Sequence, residues 1–144
     1  MKNIIKSLAL AILFILAISS CKKQDNPIAN QVAILNSNAQ QSSWKITSYI
    51  NSGSDGTVHY TDYVFQFNSN GTTTVTKSGS TVSGTWSSGN DDNTLKFILD
   101  FGAIVPFSEL NDDWHVIEQS STLIKLTDVS GGTGNTDYLT FQNN

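Results

Sequence analysis

Apolar and polar side chains alternate with period two along most of the chain after Ser43. In the first such segment, the residues that share one face are Trp44, Ile46, Ser48 and Ile50. Similar segments follow at 63–67, 72–77, 81–87, 94–101, 114–119, 122–127 and 137–142. Successive side chains of a β-strand point to opposite sides of its sheet, so the pattern predicts eight half-buried strands.

The connections between these segments favour an antiparallel barrel. Asn70-Gly71 and Ser78-Gly79-Ser80 are typical of tight turns, and only 51–62 and 102–113 are longer. Parallel neighbours would need crossover connections of a dozen or more residues, usually helical. Closing the sheet on itself removes its two exposed edges, so we expect an all-β, eight-stranded, antiparallel up-and-down barrel. An immunoglobulin-like sandwich is the alternative, but Gly84 inside a strand favours the sharp bends of a barrel.

The segment before the first strand is polar and is typical of a tether. Residues 22–43 are rich in Asn, Gln, Ser and Ala, and a flexible segment of that length spans roughly 25 Å. Within it, Asn26-Pro27 resembles a helix start, and Ile28, Val32 and Leu35 recur at helical spacing. The sequence therefore predicts one short N-terminal helix.

The first 20 residues have the pattern of a secretory signal. Residues 1–6 carry two lysines, and 7–20 is an uncharged, mostly apolar run that ends before Lys22 and Lys23. A membrane-spanning helix needs about 20 apolar residues, so this run is too short. We expect 1–20 to be removed as a signal peptide.

The end of this run, Ile18-Ser19-Ser20-Cys21, resembles the lipobox of bacterial lipoproteins. The resemblance implies that Cys21, the only cysteine, carries a diacylglyceryl group on sulfur and an acyl chain such as palmitate on its amine. Two or three acyl chains make membrane attachment effectively permanent. Because Lys22 stands where an inner-membrane retention aspartate would be, the resemblance implies the outer membrane, with the protein facing the periplasm or the surface. The expected organisation is thus signal 1–20, lipidated Cys and tether 21–43, and barrel 44–144.

The charge balance argues against nucleic-acid binding. Lys2 and Lys6 leave with the signal, so six of the eight lysines remain against twelve acidic residues, and the chain has no arginine. The mature formal charge is therefore minus six. Binding to phosphates relies on Lys and Arg, so membrane contact should come from lipid and no nucleic-acid partner is expected.

No motif in the domain indicates catalysis, a cofactor or a metal. The glycine cluster 131–134 lacks the spacing of a dinucleotide-binding fingerprint and is typical of a hairpin loop. His59 and His115 have no third His or Cys to complete a zinc site. The acid pairs 91–92 and 112–113 lie in predicted loops, where adjacent acids usually face water. We therefore expect a protein that is not an enzyme and has no cofactor.

Several short motifs resemble a family of small lipocalin-like lipoproteins from Gram-negative bacteria. They are Trp44, Tyr63-Val64-Phe65-Gln66-Phe67 before Asn70-Gly71, Gly84-Thr85-Trp86, Leu95-Lys96-Phe97, Phe107-Ser108-Glu109-Leu110 leading to Asp113-Trp114, and Tyr138-Leu139-Thr140-Phe141. The resemblance extends over 44–141 and implies a calycin-type barrel. It supplies no catalytic residue.

The predicted interior is rich in aromatic and branched side chains. Its members are Trp44, Phe65, Phe67, Val75, Val82, Trp86, Leu95, Phe97, Leu99, Ile124, Leu126, Leu139 and Phe141. An eight-stranded barrel either is filled by side chains or holds one small ligand. A pocket would lie at the mouth under the 51–62 loop, lined by Tyr60, Tyr63, Phe65 and Trp86.

Two functional hypotheses follow. In the first, the barrel binds a small hydrophobic ligand near its open end. In the second, a side-chain-filled barrel acts through its loops on another envelope protein, as an interaction or structural protein.

Overall fold

The computed structural model describes residues 27–129 and 134–143. The predicted signal 1–20, Cys21 and most of the predicted hairpin loop at 131–134 lie outside the described residues. No helix in the described ranges is long and apolar enough to span a bilayer.

Nine antiparallel strands account for most of the described chain. They are β1 (Ser43–Asn51), β2 (Ser54–Asp55), β3 (Val64–Phe67), β4 (Thr72–Lys77), β5 (Ser80–Asp91), β6 (Thr94–Asp100), β7 (Asp112–Gln119), β8 (Leu123–Val129) and β9 (Thr136–Asn143). Each long strand pairs with its sequence neighbour, and β1 also pairs with β9, from Trp44 opposite Asn143 to Ile50 opposite Tyr138. The two residues of β2 pair only with the end of β1. Eight strands therefore close into the predicted up-and-down barrel.

The N-terminal helix is longer than its sequence pattern indicated. Helix α1 (Pro27–Gln41) packs against β3, β5 and β6, with Leu35 and Ala39 fully buried in the core. The indole N–H of Trp44 donates to the carbonyl oxygen of Ala39 at 2.9 Å, which fixes the helix to the start of β1. The segment 22–43 was expected to be a tether with one short helix inside it. Residues 27–41 of this segment form a helix of the packed domain, because burial of Leu35 and Ala39 stabilises them.

The two ends of the barrel are covered by different elements. We call the end where β1 begins the helix end, because α1 lies across it. The opposite end, where β1 finishes, is the loop end. There the 3-10 turns Thr57–Tyr60 and Phe107–Leu110 insert Tyr60, Phe107 and Leu110 into the core.

The core agrees closely with the predicted interior, except in β1, where a different set of side chains is buried after Ile46. Of the thirteen predicted members, all are buried except Val82 and Leu95, which are partly buried and pack on the others. In β1 the pairing with β9 shifts between Ile46 and Ser48, as in a β-bulge. An extra residue in one strand reverses the side-chain alternation beyond it. Tyr49 is consequently buried, in place of Ser48 and Ile50.

Candidate functional site

Three of the four predicted pocket residues meet at the loop end around the ring of Phe107. The ring centroids of Tyr60, Tyr63 and Phe65 lie 6.1, 5.0 and 6.1 Å from that of Phe107. Phe107 belongs to the motif Phe107-Ser108-Glu109-Leu110 but was not predicted in the interior, because it lies in a loop turn outside the period-two segments. These aromatic rings pack on each other, so the residues expected to line a mouth form its closure.

Hydrogen bonds from two buried tyrosines hold this closure in place. The Tyr60 hydroxyl donates to the carbonyl oxygen of Pro106 at 3.0 Å, and the Tyr49 hydroxyl donates to that of Glu109 at 2.8 Å. Burial raises the pKa of both hydroxyl groups, and the nearby charge of Glu109 adds to the effect. Both tyrosines therefore stay protonated and act as hydrogen-bond donors: Tyr60 joins the two loop-end turns, and Tyr49 joins β1 to the turn Phe107–Leu110.

Trp86, the fourth predicted pocket residue, lies towards the helix end. Its ring is 5.5 Å from those of Phe67 and Phe97, and its indole N–H donates to the carbonyl oxygen of Asn68 at 2.9 Å. The four predicted residues thus do not form one site.

Aromatic side chains fill the middle of the barrel. Phe67 lies 5.0 Å from Phe97 and 5.5 Å from Phe141, and Phe65 lies 5.4 Å from Phe141, all edge to face. Such edge-to-face contacts are favourable beyond the area that they bury. The interior is occupied by side chains from several strands at once.

Two solvent-open grooves lie at the helix end, between α1 and the barrel. One, of about 350 Å³, is lined by Gln31, Leu95, Val116, Ile117, Glu118 and Gln119. The other, of about 220 Å³, is lined by Asn36, Gln40, Ser69, Gly71, Trp86, Ser87 and Ser88. Neither groove could be predicted from the sequence, because both depend on where α1 packs against the barrel.

Three carboxylates cluster at the loop end. Asp112, Asp113 and Asp128 each have an oxygen within 4.8 Å of the others. Burial, with the charges of Asp128 and Asp113, raises the pKa of Asp112, whereas a hydrogen bond from Lys96 lowers that of Asp113. The Lys96 ammonium lies 3.2 Å from the Asp113 carboxylate. Oxygen ligands of this kind suit a hard cation, but Asp113 is already paired with Lys96.

Neither histidine belongs to the cluster of Asp112, Asp113 and Asp128. His59 is exposed, with Nδ1 4.0 Å from a Glu109 carboxylate oxygen. His115 is partly exposed in β7, opposite Lys96 of β6. The arrangement gives neither ring a second histidine at ligand distance among the groups that the structure describes.

Acidic and apolar residues together mark the loop end. Of the eleven acidic residues in the described ranges, eight lie there, namely Asp55, Asp62, Asp100, Glu109, Asp112, Asp113, Asp128 and Asp137. Val58 and Val105, on its two longest loops, are 74% and 79% exposed. The loop end is therefore acidic and carries exposed apolar side chains.

Comparison with known proteins supports the fold. No family model matches the chain, and no curated protein matches it. A similar solved structure is that of a DUF4847 family protein from Bacteroides vulgatus ATCC 8482, with a TM-score of 0.50 and 14% identity over 74% of this chain and 94% of that one. At this identity the likeness concerns the fold alone.

Proposed function

We propose that this protein is a lipid-anchored lipoprotein of the outer membrane whose packed, lipocalin-like barrel presents its loop end to another envelope protein. In this function the barrel is a rigid, non-enzymatic support, and the exposed loops make the specific contacts. The observation that carries the proposal is the packing of Phe65, Phe67, Phe97 and Phe141 against one another across the barrel interior, which favours contact through the loops and the outer surface.

The anchor is supported by sequence. Ile18-Ser19-Ser20-Cys21 has the residue types that a lipobox needs, and it directly follows an apolar run of signal length. Helix α1 begins at Pro27, six residues after Cys21. The folded domain thus starts close to the proposed lipid.

The loop end is the best supported contact surface. Its apolar side chains, Val58 and Val105, protrude from turns that Tyr49 and Tyr60 hold by hydrogen bonds. Exposed apolar side chains within a polar rim are typical of protein contact sites, and preorganised loops lose little entropy on binding.

Mass spectrometry of the protein purified from membranes tests the anchor. We expect a mature chain that begins at Cys21 and carries the mass of two or three acyl groups. The variant Cys21→Ser should lack that mass and leave the membrane fraction. A bare thiol on the wild-type chain would refute the anchor.

Site-specific photocrosslinking in intact cells tests the contact surface. A crosslinking residue at position 58 or 105 should give a discrete adduct with one envelope protein. The matched control is position 98, because Ile98 is also an exposed apolar residue but lies on the barrel wall. The interaction hypothesis fails if positions 58 and 105 give the same products as position 98.

The competing hypothesis, a small hydrophobic ligand inside the barrel, has its own test. A fluorescent fatty acid or a tetrapyrrole would have to displace Phe67, Phe97 or Phe141 to enter. We therefore expect no saturable quenching of tryptophan fluorescence when either probe is added. Saturable quenching with one site per chain would favour the ligand carrier instead.

A further inference from the structure

The helix end exposes two large apolar side chains beside a groove. Ile34 on α1 is 47% exposed and Ile117 on β7 is 57% exposed. Gln31 and Ile117 line the groove of about 350 Å³. Gln31 and Ile34 are three residues apart, so they lie on the same side of the helix. Apolar side chains therefore protrude on both sides of the junction between α1 and the barrel.

The chain that leads to the proposed anchor ends at this same surface. Pro27, the first residue of α1, is the sixth residue after Cys21. Even fully extended, six residues reach only about 20 Å. A barrel strand of eight residues is about 25 Å long and is tilted by about 35–45° to the barrel axis, so the loop end lies roughly 20 Å farther from the anchor than the helix end does.

Charge distinguishes the two ends. Among the described residues, the loop end carries eight acidic residues against Lys77 and Lys96, whereas the helix end carries Asp91, Asp92 and Glu118 against Lys45 and Lys125. Lys125 neutralises Glu118 at 2.6 Å, and Lys45 is exposed at the start of β1. Lys22 and Lys23 directly follow Cys21 in the sequence. Anionic headgroups attract Lys and repel carboxylates over about one Debye length, so they favour contact with the helix end.

We propose that the helix end is a lipid-contacting surface, with Ile34 and Ile117 at the headgroup level and the acidic loop end pointing away from the bilayer. This orientation rests on the proposed lipid anchor and goes beyond it, since an anchor alone would leave the barrel free to tumble. In this orientation the barrel is a spacer that holds the loop end away from the bilayer, where another envelope protein can contact it.

Environment-sensitive labels on the full lipidated protein test the orientation. Once Cys21 is acylated, an introduced cysteine is the only free thiol. The variants Ile34→Cys, Ile117→Cys, Ile98→Cys and Val105→Cys place one NBD fluorophore at the helix end, the wall or the loop end, all at exposed positions. Each protein is reconstituted into vesicles of phosphatidylethanolamine and phosphatidylglycerol, with or without lipids spin-labelled near the headgroup.

We expect the labels at positions 34 and 117 to shift to the blue and to be quenched several-fold more than those at 98 and 105. Strongest quenching at 98 would mean that the barrel lies on its side, and strongest quenching at 105 that it is inverted. Equal, weak quenching at all four positions would mean a freely tumbling domain. Co-flotation of the protein with the vesicles shows that the anchor is present. If the protein floats, each of these three quenching results overturns the proposed orientation and leaves the anchor supported. Failure to float would refute the anchor and the orientation together.

Discussion

Each tryptophan fixes a loop or helix to the barrel through its indole N–H. Trp44 donates to the carbonyl oxygen of Ala39, Trp86 to that of Asn68 and Trp114 to that of Leu110, all at 2.9 Å. A buried indole N–H needs such an acceptor, because an unpaired polar group in a core is costly. The sequence predicted Trp44 and Trp86 as core residues from alternation alone. It could not predict their acceptors, Ala39 of α1 and Asn68 of the β3–β4 turn, because which carbonyl each indole meets depends on tertiary packing.

Gly84 is needed because another side chain occupies the space of its Cβ. A Cβ at this position would lie 2.5 Å from Cδ1 of Phe101 and 2.7 Å from the carbonyl oxygen of Asp100. We expect Gly84→Ala to lower the free energy of unfolding by about 1–3 kcal/mol, as overpacking does. The control is Gly89→Ala in the same strand, where no atom lies within 4 Å of the added Cβ. Urea unfolding measures both, and equal stabilities would contradict this reason for the glycine.

The adjacent acids Asp112 and Asp113 should affect stability in opposite directions. Burial raises the folded-state pKa of Asp112 above the ordinary value of an aspartate, so its ionised form opposes folding at neutral pH. Asp112→Asn should therefore stabilise the protein at pH 7. This gain should shrink as the pH falls through the raised pKa and vanish below about 3.8, where the carboxyl is neutral in both states.

Asp113→Asn is the matched comparison. Lys96 lowers the folded-state pKa of Asp113, so the ionised carboxylate favours folding above its unfolded pKa, and this contribution disappears as the pH falls through the lowered value. Its replacement should destabilise the protein at pH 7 and have little effect in acid. Thermal melts from pH 3 to 8 measure both variants, and changes of the same sign at pH 7 would contradict the assignment.

At the scale of elements, the strands could be predicted from sequence, whereas the irregular positions could not. Period-two alternation placed all eight barrel strands because each has one face on the core. The bulge in β1 is different: it depends on how β1 pairs with β9, about 90 residues away. The alternation therefore put Ser48 and Ile50 on the same face as Trp44 and Ile46, although Tyr49 is the buried residue there.

Helix α1 shows how tertiary contacts extend an element. The sequence from Pro27 to Leu35 predicted a short helix, and the helix continues to Gln41 because Ala39 also packs on the barrel. The segment from Asn36 to Gln41 has no apolar residue except Ala39. Its helical pattern is consequently too weak to be recognised without the barrel beside it.

The packing of α1 predicts that helix residues contribute to the stability of the whole domain. Leu35 is fully buried, so Leu35→Ala should lower the free energy of unfolding by about 2–5 kcal/mol. The control is its neighbour: Ile34 is half exposed, and Ile34→Ala should change stability by less than about 0.5 kcal/mol. Denaturant unfolding followed by circular dichroism measures both. If the segment were a detached tether, neither substitution would matter.

For the whole molecule, loop residues determine whether the loop end of the barrel is filled or open, which the strand pattern alone does not predict. An eight-stranded barrel can be filled or hollow, and its strands do not distinguish the two. Here Tyr60 and Phe107, from 3-10 turns between strands, enter the loop end. The predicted pocket at that end is thus replaced by a closure. Loop turns have no hydrophobic period, which is why the sequence grouped Tyr60, Tyr63 and Phe65 but did not predict Phe107, around which they meet.

A closure built from the core should unfold only with the core, which can be tested with one tryptophan at each end. Trp44 reports the helix end and Trp114 the loop end, and both are almost fully buried. One variant keeps Trp44 (Trp86→Phe, Trp114→Phe) and the other keeps Trp114 (Trp44→Phe, Trp86→Phe). In each, we expect fluorescence and far-UV circular dichroism to change at the same urea concentration, as in two-state unfolding. Comparison within each variant removes the effect of the substitutions on stability. An earlier change at Trp114 alone would mean that the loop end opens by itself, which is the behaviour that a ligand carrier needs and a rigid support does not.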